Sequence, residues 1–290
     1  MKRMGTVSAF EKEIKMQINF LKRFVPQKLL SESQQKKTIF CGTGDSFVSA
    51  LIAQVFSDFR SPAFDPLDLL KNKKLAKDSK LYLISISGNT IINVKLAKKI
   101  RRAIAITANP QGKLAQNCNK AIILNFENSG IFTAGSISFL ASMMTCLSLV
   151  SKITIRNFLA IYKNAMVQSK KVSLRAKVFL LGNLHTFPVA MFCAAKLYEV
   201  AGLDAHYERI EQFAHMGLFS AKKGDTVIIF EGKNKHNMML VNILKRIGLN
   251  VIQFDPRTKN NQEIILFFIF ASEFMALYHA KKKIKTKSIL

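Results

Sequence analysis

The stretch TIFCGTGDSFVSALIA (Thr38–Ala53) decides the fold, because a similar stretch, VFLLGNLHTFPVAMFCA, recurs at Val178–Ala194. In both copies an apolar strand leads into a glycine turn and then into an apolar helix. Gly42 of the first copy matches Gly182 of the second. A strand, turn and helix in this order form the beginning of a βαβ unit, so each copy predicts the start of a parallel sheet.

Two further matches continue the repeat. LYLISISG, ending at Gly88, matches DTVIIFEG, ending at Gly232, and RAIAITANP, ending at Pro110, matches GLNVIQFDP, ending at Pro256. We therefore predict an α/β protein of two tandem domains, each a parallel sheet flanked by helices in a three-layer, flavodoxin-like arrangement. The predicted parts are an N-terminal helical segment (1–37), a first domain (38–160), a second domain (161–280) and a basic tail (281–290).

Composition favours a globular cytoplasmic protein. The chain has 290 residues, 49% of them hydrophobic, which is enough to fill the cores of two domains. Its four cysteines have neither paired spacing nor neighbouring histidines, so neither a disulfide framework nor a metal site is expected, and no cofactor is indicated. The apolar segments 128–151 and 264–278 are expected to be buried helices, since the second is shorter than the roughly 18 residues of a membrane span.

The net charge of +26 raises the question of a polyanionic partner. Lysines are spread along the whole chain and cluster at 71–77, 98–102 and 281–287, without interleaved aromatic residues. From this distribution we expect a solvated basic surface that attracts small anions, and neither a nucleic-acid partner nor a membrane.

The turn SISGNT (Ser85–Thr90) predicts a phosphate site. A hydroxyl-rich glycine turn before a helix supplies side-chain hydroxyls, backbone N–H groups and the positive end of a helix. The matching segment of the second half, FEGKN, lacks the serines and has Glu231, which would repel an anion. The alternative is that Ser85 and Ser87 only cap the helix.

The SISGNT turn and the preceding CGTGDS resemble the sugar isomerase (SIS) domain family of phosphosugar-binding proteins. The order of both halves resembles the tandem isomerase portion of glucosamine-6-phosphate synthases, from about Ile39 onwards. The resemblance implies two SIS domains and a sugar phosphate held by Ser85, Ser87, Thr90 and Thr43. The chain departs from the synthase pattern at Gly44, usually serine there, and at Asn89, usually glutamate.

A second constellation lies in AAKLYEVAGLDAHYERIEQFAHMGLF (Ala194–Phe219). Lys196 and Glu199 are three positions apart, hence on one face of a helix, and His215 is expected in a later loop. Aldose–ketose interconversion needs a carboxylate of raised pKa facing two carbons and a group that titrates near pH 7. Glutamate and histidine suit these tasks, although Glu208 and Glu211 are competing carboxylates.

The family resemblance implies roles for these residues. Glu199 moves the proton between the first and second sugar carbons, His215 assists ring opening, and Lys196 steadies the developing charge. The family histidine is followed by Gly-Pro, whereas Met216 and Gly217 follow His215. The alternative is a plain surface ion pair and an ordinary loop histidine.

The chain termini add two expectations. By the resemblance, Lys287 is a candidate for the synthase tail lysine that forms a Schiff base, the alternative being a solvated tail. Segment 1–37 is too short for a glutaminase domain. We therefore expect a cytoplasmic, homodimeric enzyme that converts glucosamine 6-phosphate and fructose 6-phosphate with free ammonia, as a deaminase or an ammonia-dependent synthase. The alternatives are a phosphosugar isomerase without nitrogen chemistry and a non-catalytic sugar-phosphate sensor.

Overall fold

The structure is a computed structural model that describes residues 2–100, 102–232 and 234–287, with side chains described between 5 and 284. The chain divides into two compact units. The first unit comprises residues 16–128 and 135–153, and the second comprises residues 1–15, 129–134 and 154–290. The long N-terminal helix α1 (Lys2–Arg23) contributes to both.

The first unit contains a parallel sheet whose strands are adjacent in the order β2-β1-β3-β4-β5. The strands are β1 (Thr38–Cys41), β2 (Ala63–Phe64), β3 (Lys80–Ile84), β4 (Ala103–Thr107) and β5 (Lys120–Ile123). Its helices are α2 (Glu32–Gln35), α3 (Asp45–Phe56), α4 (Pro66–Lys71), α5 (Ile91–Ala97), α6 (Lys113–Asn117) and α7 (Ile137–Val150), with a 3₁₀ turn at Lys73–Ala76.

Both faces of the inner strands of this first sheet are buried, as expected for parallel strands with helices on either side. On one face Ile39, Leu81 and Leu83 pack with residues of α4 and α5. On the other, Phe40, Tyr82 and Ile84 pack with residues of α3 and α7. Alternate strand residues therefore fill two separate cores, which confirms the predicted layering of helix, sheet and helix in this unit.

The second unit contains a parallel sheet in the order β7-β6-β8-β9. The strands are β6 (Val178–Leu181), β7 (Ala205–Glu208), β8 (Thr226–Ile229) and β9 (Asn250–Gln253). The helices are α8 (Phe158–Lys170), α9 (Phe187–Lys196), α10 (Ile210–His215), α11 (Lys235–Arg246) and α12 (Asn261–Lys287), with a π-helical turn at Leu197–Ala201 and a 3₁₀ turn at Gly217–Ser220.

The two sheets repeat one strand order, because β2-β1-β3-β4 of the first corresponds to β7-β6-β8-β9 of the second. In each sheet the order reverses between its first strand and its third, at β1 and β3 or at β6 and β8. Open parallel sheets bind ligands beyond the carboxyl ends of the strands at such a reversal. The strands β2, β5 and β7 were not predicted from the sequence.

Helix α12 is longer than the apolar stretch 264–278 that the sequence analysis singled out. Its segment Asn261–Ile284 is, among the described residues, the one helix long and apolar enough to cross a membrane by length and composition. Of its most apolar window 78% is buried within the protein, and the rings of Phe268 and Phe230 stack at 4.7 Å. This burial is what a core helix requires. The other apolar segment becomes helical only from Ile137, in the buried helix α7.

Candidate functional site

Gly42 and Gly182 occupy the same place in the two units, directly after β1 and β6. A Cβ atom at Gly42 would lie 2.7 Å from the backbone of Ser46, and one at Gly182 would lie 2.8 Å from the backbone of Thr186. Any side chain here would therefore displace the start of the following helix. The matched glycines of the sequence repeat are close-approach positions in both units.

The two candidate phosphate-binding turns are neighbours at the carboxyl edge of the first sheet. Cys41 of β1 pairs with Leu83 of β3, so the turn after Cys41 and the turn from Ser85 to Thr90 leave adjacent strands. This is the position at which the strand order reverses. The topology places the segments of Thr43, Ser85, Ser87 and Thr90 at the ends of adjacent strands; their binding of a phosphate stays a prediction.

The hydroxyls of the SISGNT turn bond within the turn. The hydroxyl oxygens of Ser85 and Thr90 are 2.9 Å apart, and the hydroxyl of Ser87 accepts the N–H of Asn89 at 3.3 Å. Thr90 is the N-cap of α5, yet its side chain makes no capping hydrogen bond. In this structure the serine hydroxyls therefore do not cap α5, contrary to the capping alternative.

Exposure separates the two serines. Ser85 is buried, at 3% exposed, whereas Ser87 is exposed to solvent. Gly88 has a φ of +65°, which favours glycine, and a Cβ atom there would lie 2.9 Å from the hydroxyl of Thr107. Since α5 has only seven residues, the hydroxyls and backbone N–H groups are the main donors that the turn offers to an anion.

Asn89 braces the turn at the position where the synthases usually have glutamate. Its side-chain amide donates to the carbonyl of Ser87 at 3.1 Å, and its side-chain oxygen accepts the N–H of Lys113 at 3.2 Å. The amide of Asn109 also donates to the carbonyl of Ser87. A glutamate carboxylate could accept from Lys113 but has no hydrogen to donate, so it could not make the bond to the carbonyl of Ser87 that Asn89 makes.

Gly44 explains the other departure from the synthase pattern. Its φ is +60° and its ψ is −130°, a conformation that serine adopts only with strain. The neighbouring Thr43 is exposed and lies in the turn after β1. The serine of the synthases is thus replaced where the backbone itself requires glycine.

The matching turn of the second unit differs in charge, as the sequence predicted. Glu231 stands where Ser87 stands in the first unit, and its carboxylate accepts a hydrogen bond from the buried Asn237 at 3.1 Å. The buried Asn93 of α5 is the counterpart of Asn237 and donates instead to the carbonyl of Ile84. A carboxylate fixed at this place opposes the binding of a phosphate.

Lys196 and Glu199 form a tight ion pair in the second unit. The ammonium nitrogen Nζ of Lys196 lies 2.6 Å from Oε2 of Glu199, and the lysine side chain is fully buried while that of the glutamate is 47% exposed. Lys196 ends α9, and Glu199 lies in the π-helical turn that follows. Lys196 also lies 5.0 Å from the ring centre of Phe192. The predicted pair therefore exists, with one partner in the core and the other facing solvent.

His215 differs from its prediction. It is the last residue of α10 and not part of a loop, and its side chain is 77% exposed. Its ring nitrogen Nε2 lies 3.9 Å from the carboxylate of Glu211. The Nε2 atom of His236 lies 2.8 Å from the same carboxylate. In the described part of the chain no hydrogen bond or ion pair joins His215 to Glu199. An exposed surface contact of this kind contributes little to stability.

Glu208 meets the pKa criterion that the sequence analysis set for the catalytic carboxylate. Burial raises the pKa of Glu208 above its ordinary 4.5, while the charge of His206 and the N–H of Gly217 partly oppose this rise. The side chain lines an open cavity of about 510 Å³ at the end of β7. The other lining residues are Phe187, Tyr207, Arg209, Gln212, Met216 and Gly217.

Arg209 was missed by sequence reasoning. Its guanidinium carbon lies 4.5 Å from the ring centre of Phe187, which places a cation over an aromatic ring in this cavity. The cation and the ring are far apart in the sequence, so only the fold reveals their contact.

The cysteines are partly or fully buried. All four are free, and burial raises the pKa of Cys118 to about 11 and that of Cys193 to about 12. Among the described residues no group of three or more histidine, cysteine or acidic side chains is placed to hold a metal ion. Lys287 ends α12, but its side chain and residues 288–290 lie outside the described part, so its role stays a prediction.

No protein-family model matches the sequence, and no curated protein matches it. Solved structures do match the fold. The chain resembles a glucosamine-6-phosphate deaminase from Thermotoga maritima, with a TM-score of 0.75, 18% identity and coverage of 98% of this chain and 95% of that one. It also resembles tagatose-6-phosphate ketose/aldose isomerase from Escherichia coli, with a TM-score of 0.70, 18% identity and coverage of 98% and 93%.

A third structure is the C-terminal domain of glucosamine-fructose-6-phosphate aminotransferase from Francisella tularensis. Its TM-score is 0.67, with 14% identity and coverage of 96% of this chain and 94% of that domain. At these identities the likeness concerns the fold. The chain therefore has the fold found in phosphosugar isomerases and related enzymes, over nearly its whole length.

Proposed function

We propose that this chain is a phosphosugar enzyme that converts glucosamine 6-phosphate and water to fructose 6-phosphate and ammonia, or runs the reverse reaction. One observation carries the proposal: a fully buried lysine holds the half-exposed carboxylate of Glu199 at 2.6 Å. Burying an ammonium group is costly, so a lysine in this position needs a reason beyond packing. Proton transfer by a carboxylate fixed in one orientation supplies that reason.

The chemistry requires one group that moves a proton between two carbons. In the open-chain sugar, Glu199 takes the proton from the second carbon, which gives an enolamine, and returns it to the first carbon. Water then hydrolyses the resulting imine at the second carbon, and ammonia leaves. Lys196 holds Glu199 in place and offers positive charge to the developing oxyanion. Ser85, Ser87, Thr90 and Thr43 bind the sugar phosphate.

His215 is assigned to ring opening in the site of a second subunit. Its side chain is 77% exposed and its recorded partner is the exposed Glu211, so it is accessible to a neighbouring molecule. This assignment makes the protein a homodimer. We further propose a cytoplasmic location. We also propose two SIS domains at 38–160 and 161–280, and the repeated strand order of the two sheets supports this division.

Isomerisation without nitrogen chemistry is the second candidate. It uses the same proton transfer and the same phosphate turn, and the likeness to tagatose-6-phosphate isomerase favours it. Glu208 is the second candidate for the base, because its pKa is raised and it lines a cavity.

A turnover assay separates these proposals. The purified protein is incubated with glucosamine 6-phosphate, and released ammonia and ketose are measured together. Ammonia release that disappears in Glu199→Gln supports the proposal. If no ammonia is released but glucose 6-phosphate or another aldose phosphate is converted to a ketose, plain isomerisation replaces the proposed reaction. If sugar phosphates raise the Tm of the protein but none of them is turned over, the protein is a sensor.

A further inference from the structure

The fold gathers basic residues that are dispersed in the sequence at one edge of the first sheet. Lys37 directly precedes β1, Lys80 opens β3, Arg102 directly precedes β4 and Lys120 opens β5. These strands are parallel neighbours, and backbone hydrogen bonds join Lys80 to Lys37 at 2.8 Å and Leu81 to Arg102 at 3.0 Å. The amino ends of neighbouring strands therefore carry a continuous row of cations.

Two of the lysine clusters join this row. In a βαβ unit the helix returns the chain to the amino edge of the sheet, so the segments that lead into β3 and β4 lie beside these strand ends. Lys73, Lys74 and Lys77 precede β3, and Lys98 and Lys99 follow α5 and precede β4. We call the whole set the amino-edge surface: Lys37, Lys73, Lys74, Lys77, Lys80, Lys98, Lys99, Arg102 and Lys120.

The charges of this surface are unbalanced. All of its side chains are exposed, and in the described part of the chain no salt bridge includes any of them. The segments 73–80, 98–102 and 119–120 together contain one acidic residue, Asp78. Neighbouring strands in a sheet lie about 4.8 Å apart, so Lys80 and Arg102 repel each other across adjacent strands. A bound polyanion would relieve this repulsion.

The amino-edge surface is separate from the phosphate turn. The SISGNT turn follows the carboxyl end of β3, whereas Lys80 opens the same strand. At roughly 3.3 Å per residue, the two edges of the sheet are about 15 Å apart. A sugar phosphate in the turn leaves the amino-edge surface free.

We propose that the amino-edge surface binds the phosphate backbone of duplex nucleic acid without sequence preference. Lysines suit this partner because they act as point charges on phosphates. The surface has no exposed aromatic side chain in 73–80 or 98–102 on which single-stranded bases could stack. Among the described residues of 73–80 and 98–102, the exposed large apolar side chain is that of Leu75, which is 43% exposed. Little apolar surface is therefore available for insertion into a membrane. The expectation of no nucleic-acid partner rested on the dispersion of lysines in the sequence and on the absence of interleaved aromatic residues. The fold brings the dispersed lysines together, and contacts to duplex phosphates need no aromatic stacking.

Fluorescence anisotropy with a labelled mixed-sequence DNA duplex of about 20 base pairs tests the proposal over a series of salt concentrations. The test variant carries Lys74→Glu, Lys77→Glu and Lys120→Glu. The control carries the same charge change on exposed lysines of the second unit, as Lys163→Glu, Lys235→Glu and Lys259→Glu. Thermal melting of each variant confirms that it is folded. A neutral version, with Lys74→Gln, Lys77→Gln and Lys120→Gln, checks the direction of the effect.

Loss of three phosphate contacts lowers the slope of log K against log salt by about 2.7 and the affinity by about 10²-fold or more near 0.1 M salt. We expect this loss in the test variant, a smaller loss of the same sign in the neutral version, and a much smaller loss in the control. Equal losses in the test and control variants would assign binding to the overall charge and overturn the proposal. Absence of duplex binding overturns it too, as does binding to phosphatidylserine vesicles but not to the duplex.

Discussion

The ammonium group of Lys196 is fully buried and lies 2.6 Å from the carboxylate of Glu199, which is 47% exposed. The arrangement is asymmetric, because the ammonium group is shielded from water whereas the carboxylate that it contacts is about half exposed. A lysine that served the fold alone would expose its ammonium group at the surface. The pair therefore presents an oriented carboxylate to solvent or to a ligand.

Lys196→Met should separate the catalytic role of the lysine from its structural role. Methionine fills a similar volume and removes a buried charge, so the free energy of unfolding should change little or rise. Turnover of glucosamine 6-phosphate should fall about 10²-fold because the positive charge at the reacting oxygen is lost. Thermal melting and initial rates measure the two effects, with Lys163→Met on the exposed face of α8 as control. Full activity in Lys196→Met would remove the lysine from the mechanism.

The two serines of the phosphate turn should differ in their effect on stability. Ser87 is exposed, so Ser87→Ala should leave Tm unchanged and lower kcat/KM about 10- to 150-fold, which corresponds to a charge-assisted hydrogen bond of about 1.5 to 3 kcal/mol. Ser85 is buried and hydrogen-bonded to Thr90, so Ser85→Ala should lower both Tm and kcat/KM. Ser173→Ala, at an exposed serine of the second unit, is the control. Full activity in both test variants would contradict the phosphate assignment.

Glu208 should make stability depend on pH. Burial raises its pKa in the folded protein above 4.5, so the folded state binds this proton more tightly than the unfolded state does. The contribution of Glu208 to the free energy of unfolding should therefore decrease as pH rises from 4.5 through the raised pKa. Glu208→Gln removes the titrating group, and its melting curves should lose this decrease relative to wild type. An unchanged pH dependence would show that Glu208 is not perturbed.

Lys287 is tested by chemical trapping. If a lysine forms an imine with the ketose, borohydride reduction in the presence of fructose 6-phosphate should leave a stable secondary amine. Peptide mass mapping locates the adduct, which we expect on Lys287 and not in Lys287→Arg. An adduct on Lys196, or none at all, would remove Lys287 from the site.

The inner strands of both sheets were predictable because they are apolar runs that end in glycine or Pro-containing turns. TIFC, LYLI and VFLL became β1, β3 and β6 with their side chains buried. The strand Ala63–Phe64 has two residues and no period to detect, and in the strand Ala205–Glu208 only Ala205 is fully buried. Pairing with an inner strand makes these segments strands, and single-sequence patterns do not contain that information.

The site was predictable to the extent that it is local in sequence. Lys196 and Glu199 are three positions apart, and their contact follows from helical geometry even though the glutamate lies in a π-helical turn. Arg209 and Phe187 meet only through the fold. The positive φ of Gly44 likewise appears only in the folded chain. For these residues the sequence contains the chemistry but not the geometry.

The most direct test of the account is exchange of the proton on the second carbon of glucosamine 6-phosphate in deuterated water, followed by nuclear magnetic resonance. We expect exchange in the wild-type protein and a decrease of at least about 10²-fold in Glu199→Gln, with little change in Glu211→Gln. Exchange that continues unchanged in Glu199→Gln, and that stops in Glu208→Gln, would contradict the assignment of Glu199 and make Glu208 the base.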